Sequence, residues 1–197
     1  KDLFEFLCQN QIKFFSGVPD SLLKYFCAYL SDYCSENDHI ISANEGNAIG
    51  LAAGHYLGSK KPSLVYLQNS GLGNIVNPIL SLADKEVYKI PMLLLIGWRG
   101  EPSLKDEPQH IKQGKVTTNI LDSIGVKWFI VGPETRNPIG VFAEALGLMD
   151  LSESPVAVIV KKNTFETYKL LNKGEKEFLL LREEALEIIL DNLSENS

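Results

Sequence analysis

The sequence predicts an α/β fold, a three-layer parallel sheet of about six strands with helices on both faces. Three observations carry that prediction. Short apolar runs recur at wide intervals along the 197 residues. They are nearly continuous instead of alternating, as strands are when helices cover both of their faces. Segments with helical spacing separate them, and strand alternating with helix some six times implies parallel neighbours joined by right-handed crossovers.

The first run, Lys13-Phe14-Phe15-Ser16, precedes a helical segment over 21–34 that carries Leu22, Leu23, Phe26, Tyr29, Leu30 and Tyr33. His39-Ile40-Ile41-Ser42-Ala43 predicts the second strand, and the small apolar residues Ala48, Ile49, Leu51, Ala52 and Ala53 predict a helix over 46–57. Ser63-Leu64-Val65-Tyr66-Leu67 and Met92-Leu93-Leu94-Leu95-Ile96 are the third and fourth strands, with helices expected at about 72–84 and 109–123. Trp128-Phe129-Ile130-Val131 and Val156-Ala157-Val158-Ile159-Val160 complete the set, on either side of a helix at about 136–149.

The tail differs. The pattern is weak from Phe165 to Gly174, and then Arg182 to Leu193 is amphipathic, with Ala185, Leu186, Ile189 and Leu193 on one side. Glu183 and Glu184 fall in its first turn, where the helix dipole favours negative charge. Such a helix either leads toward something the chain does not contain or docks on the same domain. The expected division is a domain over 1–164 and a linker with helix over 165–197.

Composition narrows the function classes. Lys and Arg number 19 against 25 Asp and Glu, a net charge of −6, which argues against a nucleic-acid partner. A hydrophobic content of 45% excludes disorder, and no run approaches the ~18–20 apolar residues of a membrane span. Cys8, Cys27 and Cys34 have no metal-ligand spacing and are expected to be reduced packing residues of a cytoplasmic protein. No metal-ligand set, no H-E-x-x-H and no Ser-His-Asp order is present, so a self-contained hydrolase or metal enzyme is unsupported. The chain opens on Lys1, and further N-terminal residues are expected before it.

In an open α/β sheet, ligands bind beyond the carboxyl ends of the strands, and four of the loops there are unusual. Gly17-Val18-Pro19-Asp20-Ser21 forms a tight turn in which Asp20 or Ser21 can cap the next helix. Asn44-Glu45-Gly46-Asn47-Ala48 places a carboxylate directly after a buried strand and before small residues that let another body approach; a capping acid is the plainer explanation. Gln68-Asn69-Ser70-Gly71-Leu72-Gly73-Asn74 has two glycines that bring backbone polar groups against a flat ligand, without the spacing of a dinucleotide site or the Lys of a P-loop. The fourth runs from Gly97-Trp98-Arg99-Gly100 through Lys105-Asp106-Glu107-Pro108-Gln109-His110, about ten residues without apolar periodicity. His110 alone of the three histidines lies among polar groups of a candidate site, and a solvated helix-start histidine is its bland alternative.

These four motifs, in this order, resemble the pyrimidine-binding (PYR) domain of thiamin diphosphate (ThDP)-dependent decarboxylases, over roughly residues 1–164. Their wording is most similar to the phosphonopyruvate decarboxylases, with the alpha subunits of sulfopyruvate decarboxylases as near neighbours. The resemblance implies that Glu45 hydrogen-bonds N1′ of the cofactor's aminopyrimidine and favours the tautomer that removes the C2 proton. It implies a cofactor pocket from Gly17, Val18, Pro19, Glu45, Asn69, Gly71, Leu72, Gly73 and Asn74. It also implies proton-transfer roles for Asp20 and His110, and substrate contacts from Ser21, Lys105, Asp106, Glu107, Gln109 and His110. A phosphonate needs cationic donors, for which Arg99, Lys105, Lys112 and Lys115 are candidates.

Two departures bear on these roles. Related pyruvate decarboxylase-like enzymes carry a Gly between the Pro and Asp of the first loop and paired histidines where this chain has Gln109-His110. The chain also contains no Gly-Asp dipeptide, whereas the family binds diphosphate and Mg²⁺ through a Gly-Asp-Gly motif of a second, diphosphate-binding (PP) domain. Half a site is therefore expected, completed by a PP domain of the same or another chain, within a homo-oligomer. The function expected is decarboxylation of 3-phosphonopyruvate to phosphonoacetaldehyde and carbon dioxide. The alternatives are a sulfopyruvate decarboxylase alpha subunit and a non-catalytic α/β interaction module.

Overall fold

The computed structural model of the chain describes residues 1–171 and 182–192. Six strands, β1 (Phe14–Gly17), β2 (His39–Ile41), β3 (Ser63–Gln68), β4 (Met92–Gly97), β5 (Lys127–Val131) and β6 (Val156–Val160), form one sheet in the order β2-β1-β3-β4-β6-β5. Every pairing is parallel. The apolar runs foreseen as strands are these strands, to within one or two residues. Their residues are buried in both directions: Leu64, Tyr66, Leu93, Leu95 and Val158 join one core, and Val65, Leu67, Leu94, Ile96 and Ile159 the other.

Helices α1 (Asp2–Gln9), α2 (Lys24–Tyr33) and α6 (Pro138–Ser152) cover the first face through residues such as Leu7, Phe26, Leu30, Phe142 and Met149. The second face is covered by α3 (Glu45–Ser59), α4 (Leu72–Pro78) and α5 (Pro108–Ser123), through Ala48, Ile49, Ala52, Leu72, Ile75 and Leu121. Each large aliphatic side chain so buried contributes about 1.5–3 kcal/mol, which is why near-continuous apolar strands specify three layers.

The structure differs from expectation in three places. Helix α1 was not foreseen, since its apolar signal occupies only eight residues; Leu7 is buried and Leu3 and Phe4 pack against the same core. Helix α2 starts at Lys24 instead of residue 21, because Asp20 Oδ1 accepts the Leu22 amide at 2.8 Å and Asp20 O the Leu23 amide at 3.1 Å. That turn takes up the residues in question. Helix α4 gives way after Pro78 to a wider π-type turn over Ile79–Ala83; proline has no N–H to continue the ladder. Helix α7 (Arg182–Asp191) forms within the predicted span; Leu186, Ile188, Ile189 and Leu190 are exposed and none of its residues is buried, while Leu193 lies outside the described residues.

Residues 165–171, expected as the start of a connection, lie on the α2 side. Phe165 stacks on Phe26 at 5.6 Å, and Asp32 of α2 accepts the Tyr168 hydroxyl at 2.7 Å and the Leu171 amide at 2.8 Å. The three cysteines are free; Cys27 is buried, and burial pushes its thiol up to about 12. Among the described residues no helix is long and apolar enough to cross a membrane, and no cluster of three His, Cys, Asp or Glu is placed to hold a metal ion.

Candidate active site

The chain leaves β1 toward β2 on one side and returns to β3 on the other, so strand order reverses between β1 and β3. Beyond the carboxyl ends of such neighbours a crevice opens, and the first and third unusual loops border it.

Glu45 is the first residue of α3, after Asn44, whose side-chain oxygen accepts the Asn47 amide at 2.9 Å. Asn44, not Glu45, caps the helix, so the carboxylate is left for another partner. It is half-buried, and Asn74 of α4 donates its amide to Glu45 Oε2 at 2.7 Å. A Cβ at Gly71 would overlap the Glu45 carboxyl group. Glycine at 71 is therefore what lets the acid lie against the turn between β3 and α4. Gly73 is exposed, and Leu72 is fully buried in the second core.

A second group gathers where the loops after β1 and β4 meet. Asp20 is 5% exposed, with Oδ1 on the Leu22 amide and Oδ2 without any hydrogen-bond partner. Burial raises its pKa above the ordinary carboxylate value; the Leu22 amide and the Arg99 charge oppose that rise. Gly97, the last residue of β4, lets it in, since a Cβ there would overlap Asp20 Oδ1. Arg99 Nη1 donates to Ser21 Oγ at 2.9 Å, Nε to Asp106 Oδ2 at 2.9 Å and Nη2 to Asp106 Oδ1 at 2.5 Å. Asp106 also accepts the Gly100 amide at 2.7 Å and the Glu107 amide at 2.8 Å. The hydrogen bond from Arg99 holds the Asp106 carboxyl far below the usual range.

Asn69 joins the two groups. Fully buried, it donates both amide hydrogens, to Arg99 O at 2.8 Å and Thr117 Oγ1 at 2.9 Å, and its oxygen accepts the Arg99 amide at 3.1 Å. Its donors are thus engaged within the chain. Gly17 O accepts the Ser42 amide at 2.9 Å, Val18 donates its amide to Tyr66 O at 3.1 Å, and Pro19 is exposed. Lys105, Glu107 and Gln109 are exposed, while His110 is half-buried in the first turn of α5 with its amide on Glu107 O at 2.9 Å. Sequence reasoning named Gly97 only as the start of the fourth loop, and did not single out Thr117 or the Lys161 bridge to Glu101 (3.0 Å) and Glu134 (2.7 Å), which steadies the rim of that loop. Gly97 at a strand end was the available signal.

Residues 1–125 match the family model for the thiamine pyrophosphate enzyme, N-terminal TPP binding domain. A phosphonopyruvate decarboxylase of Streptomyces viridochromogenes is 34% identical over 130 residues, 63% of this chain and 30% of that enzyme's length. The sulfopyruvate decarboxylase subunit alpha of Methanococcus maripaludis is 34% identical over 159 residues, 80% of this chain and 91% of that subunit. Among solved structures, the benzoylformate decarboxylase of Polynucleobacter necessarius superposes with a TM-score of 0.55 at 21% identity, over 87% of this chain and 32% of that one. The matched family model, on a parallel sheet whose third and fourth layers of loops converge as described, places the chain in the thiamine pyrophosphate enzyme family, as its N-terminal TPP-binding domain.

Proposed function

We propose that this chain supplies the aminopyrimidine-binding half of a ThDP-dependent decarboxylase acting on 3-phosphonopyruvate. One observation carries the reading: the Glu45 carboxylate is held by Asn74 over a turn in which Gly71 has no side chain. Those residues fit a flat ring system, because the absent Cβ leaves the carboxyl group and the turn on one surface. Glu45, Gly71 and Asn74 would hold the aminopyrimidine, with Gly17 and Val18 at the neighbouring strand end.

Bound ThDP supplies an electron sink for the pair released as carbon dioxide departs. The chain's own part is proton handling and orientation. Glu45 would share a proton with the ring nitrogen, and Asn74 keeps the carboxyl group in line. Asp20, buried and short of one partner, exchanges a proton at Oδ2, and His110 stands at the rim of the same loops. Asn69 fixes the distance between the third and fourth loops. The diphosphate and Mg²⁺ fall to a PP domain.

Such a partner would have room on α3. There, a Cβ at Gly50, Gly54 or Gly58 would meet no atom of the described residues within 4 Å, and Ile41 and Leu51 nearby are exposed. A helix face this bare lets a second body approach closely, as a PP domain or a second copy in a homo-oligomer would. A vestigial module would not require the Asn74–Glu45 bond beside that face.

A second reading, the alpha subunit of a sulfopyruvate decarboxylase, is favoured by the 91% of the Methanococcus maripaludis subunit that the chain covers. Turnover of 3-phosphonopyruvate and sulfopyruvate by the assembled enzyme, measured side by side, separates the two. A higher kcat/KM for the phosphonate is expected; preference for the sulfonate would transfer the chain to the second reading, and turnover of neither would defeat both.

A further inference from the structure

Resting on the decarboxylase reading, the geometry points to Arg99, together with Ser21, as the receptor for the second acidic group of the substrate, a phosphonate or sulfonate on the carbon next to the keto group, with Asp106 as its positioning residue. Four cations of the fourth loop and α5 are candidates for this role. Lys105, Lys112 and Lys115 are exposed, and ordering such long side chains on an anion costs conformational entropy. Arg99 is ordered already. Its main chain is held on both polar groups by Asn69, two of its nitrogens are on Asp106 and the third is on Ser21.

Hydrogen-bond capacity decides what it can still do. A guanidinium has five N–H donors, and three are engaged here, leaving one on each Nη. Ser21 Oγ accepts from Arg99 Nη1, so its own hydroxyl proton remains to be donated. Three donors gathered where the loops after β1 and β4 meet suit a tetrahedral oxyanion. Asp106 offsets part of the guanidinium charge but leaves these donors unoccupied, and the Gly100 and Glu107 amides on its two oxygens temper its charge. Asp20 lies close enough to sense the Arg99 charge, and burial drives it toward its neutral form. A keto acid anchored on Arg99 thus lies beside the one buried side-chain oxygen that, among the described residues, has no partner.

The test compares wild-type and Arg99→Met assembled enzyme on 3-phosphonopyruvate, sulfopyruvate and pyruvate, and measures binding of unreactive 3-phosphonopropionate by calorimetry. Loss of a charged hydrogen-bonding anchor is expected to lower the kcat/KM preference for the acid-bearing substrates over pyruvate by about 10- to 100-fold, through KM, and to weaken 3-phosphonopropionate by a similar factor. Ser21→Ala, which removes an exposed hydroxyl, is expected to move both quantities the same way by a smaller factor, and it keeps the test open if Arg99→Met does not fold. The phosphonate and sulfonate arms show which oxyanion the pair prefers. An unchanged preference with an unchanged dissociation constant would overturn the assignment and leave Arg99 as a loop brace. Wild-type enzyme that turns over none of the three substrates would defeat the decarboxylase reading, while calorimetry still decides Arg99.

Discussion

Glu45 has one carboxylate oxygen engaged by Asn74 and the other beside Gly71, and it contributes nothing to either core. Glu45→Gln keeps an oxygen for Asn74 and loses the exchangeable proton. In the assembled enzyme it is expected to slow C2 proton exchange of bound ThDP by about 100-fold or more, with the melting temperature nearly unchanged. Isotope exchange followed by NMR checks the first, and a thermal melt the second. Asp20 is the opposite case, an acid whose burial works against folding. Its native pKa lies above its unfolded one, so the unfolded chain releases that proton first, and stability falls as pH rises from the unfolded value to the native value. Asp20→Asn removes the penalty. Its melting temperature is expected to exceed wild type more at pH 7 than at pH 4, while turnover drops; an equal difference at both values would contradict the burial argument. Both acids stand out in the sequence, Glu45 as a charge directly after an apolar strand and Asp20 as a cap of the next helix, but the burial of Asp20 does not. The burial of Asp20 arises from Gly97, and the contact of Ser21 with Arg99 spans 78 positions, a separation at which local pattern carries no information.

At the scale of elements, strands were the most legible feature because burial on both faces demands apolar residues at every position, and β3, β4 and β6 meet that demand. Helix ends were less so, being decided by single contacts such as the Asp20 turn before α2 and the missing N–H of Pro78. The connection from β4 to α5 is the least regular stretch, and Asp106 organises it through four accepted hydrogen bonds. Both partners of the Arg99–Asp106 pair are at most 20% exposed, so screening by solvent is limited. Asp106→Ala is expected to lower stability by about 2 kcal/mol at pH 7, read from denaturant midpoints. The Asp106 carboxyl is depressed in the native state, so its contribution is complete above the unfolded carboxylate pKa of about 4 and is lost below it as acid titrates the native group. The gap between variant and wild type should therefore narrow on acidification. Asn69→Ala strips three hydrogen bonds from the buried junction and is expected to cost about 2–3 kcal/mol; its removal would also loosen Arg99.

The molecule as a whole has two faces of unequal finish. One side of the sheet is covered by α1, α2 and α6, with a cavity left beside Phe26, Phe142 and Phe165, whereas α3 on the other presents bare glycines to solvent. Glycine in a helix interior costs roughly 0.5–1 kcal/mol relative to alanine, a cost the isolated chain has no reason to bear. Gly54→Ala is accordingly expected to raise the stability of the chain by about that amount, while Gly54→Trp leaves its secondary structure intact and abolishes assembly with the partner. Circular dichroism and sedimentation read the two outcomes; assembly unaffected by tryptophan would move the docking face elsewhere. The fastening of Tyr168 and Leu171 to Asp32 has a directional consequence. It pins residues 168–171 to the face covered by α2, opposite the face from which α3 presents Glu45, so whatever binds at that carboxylate leaves this fastening untouched.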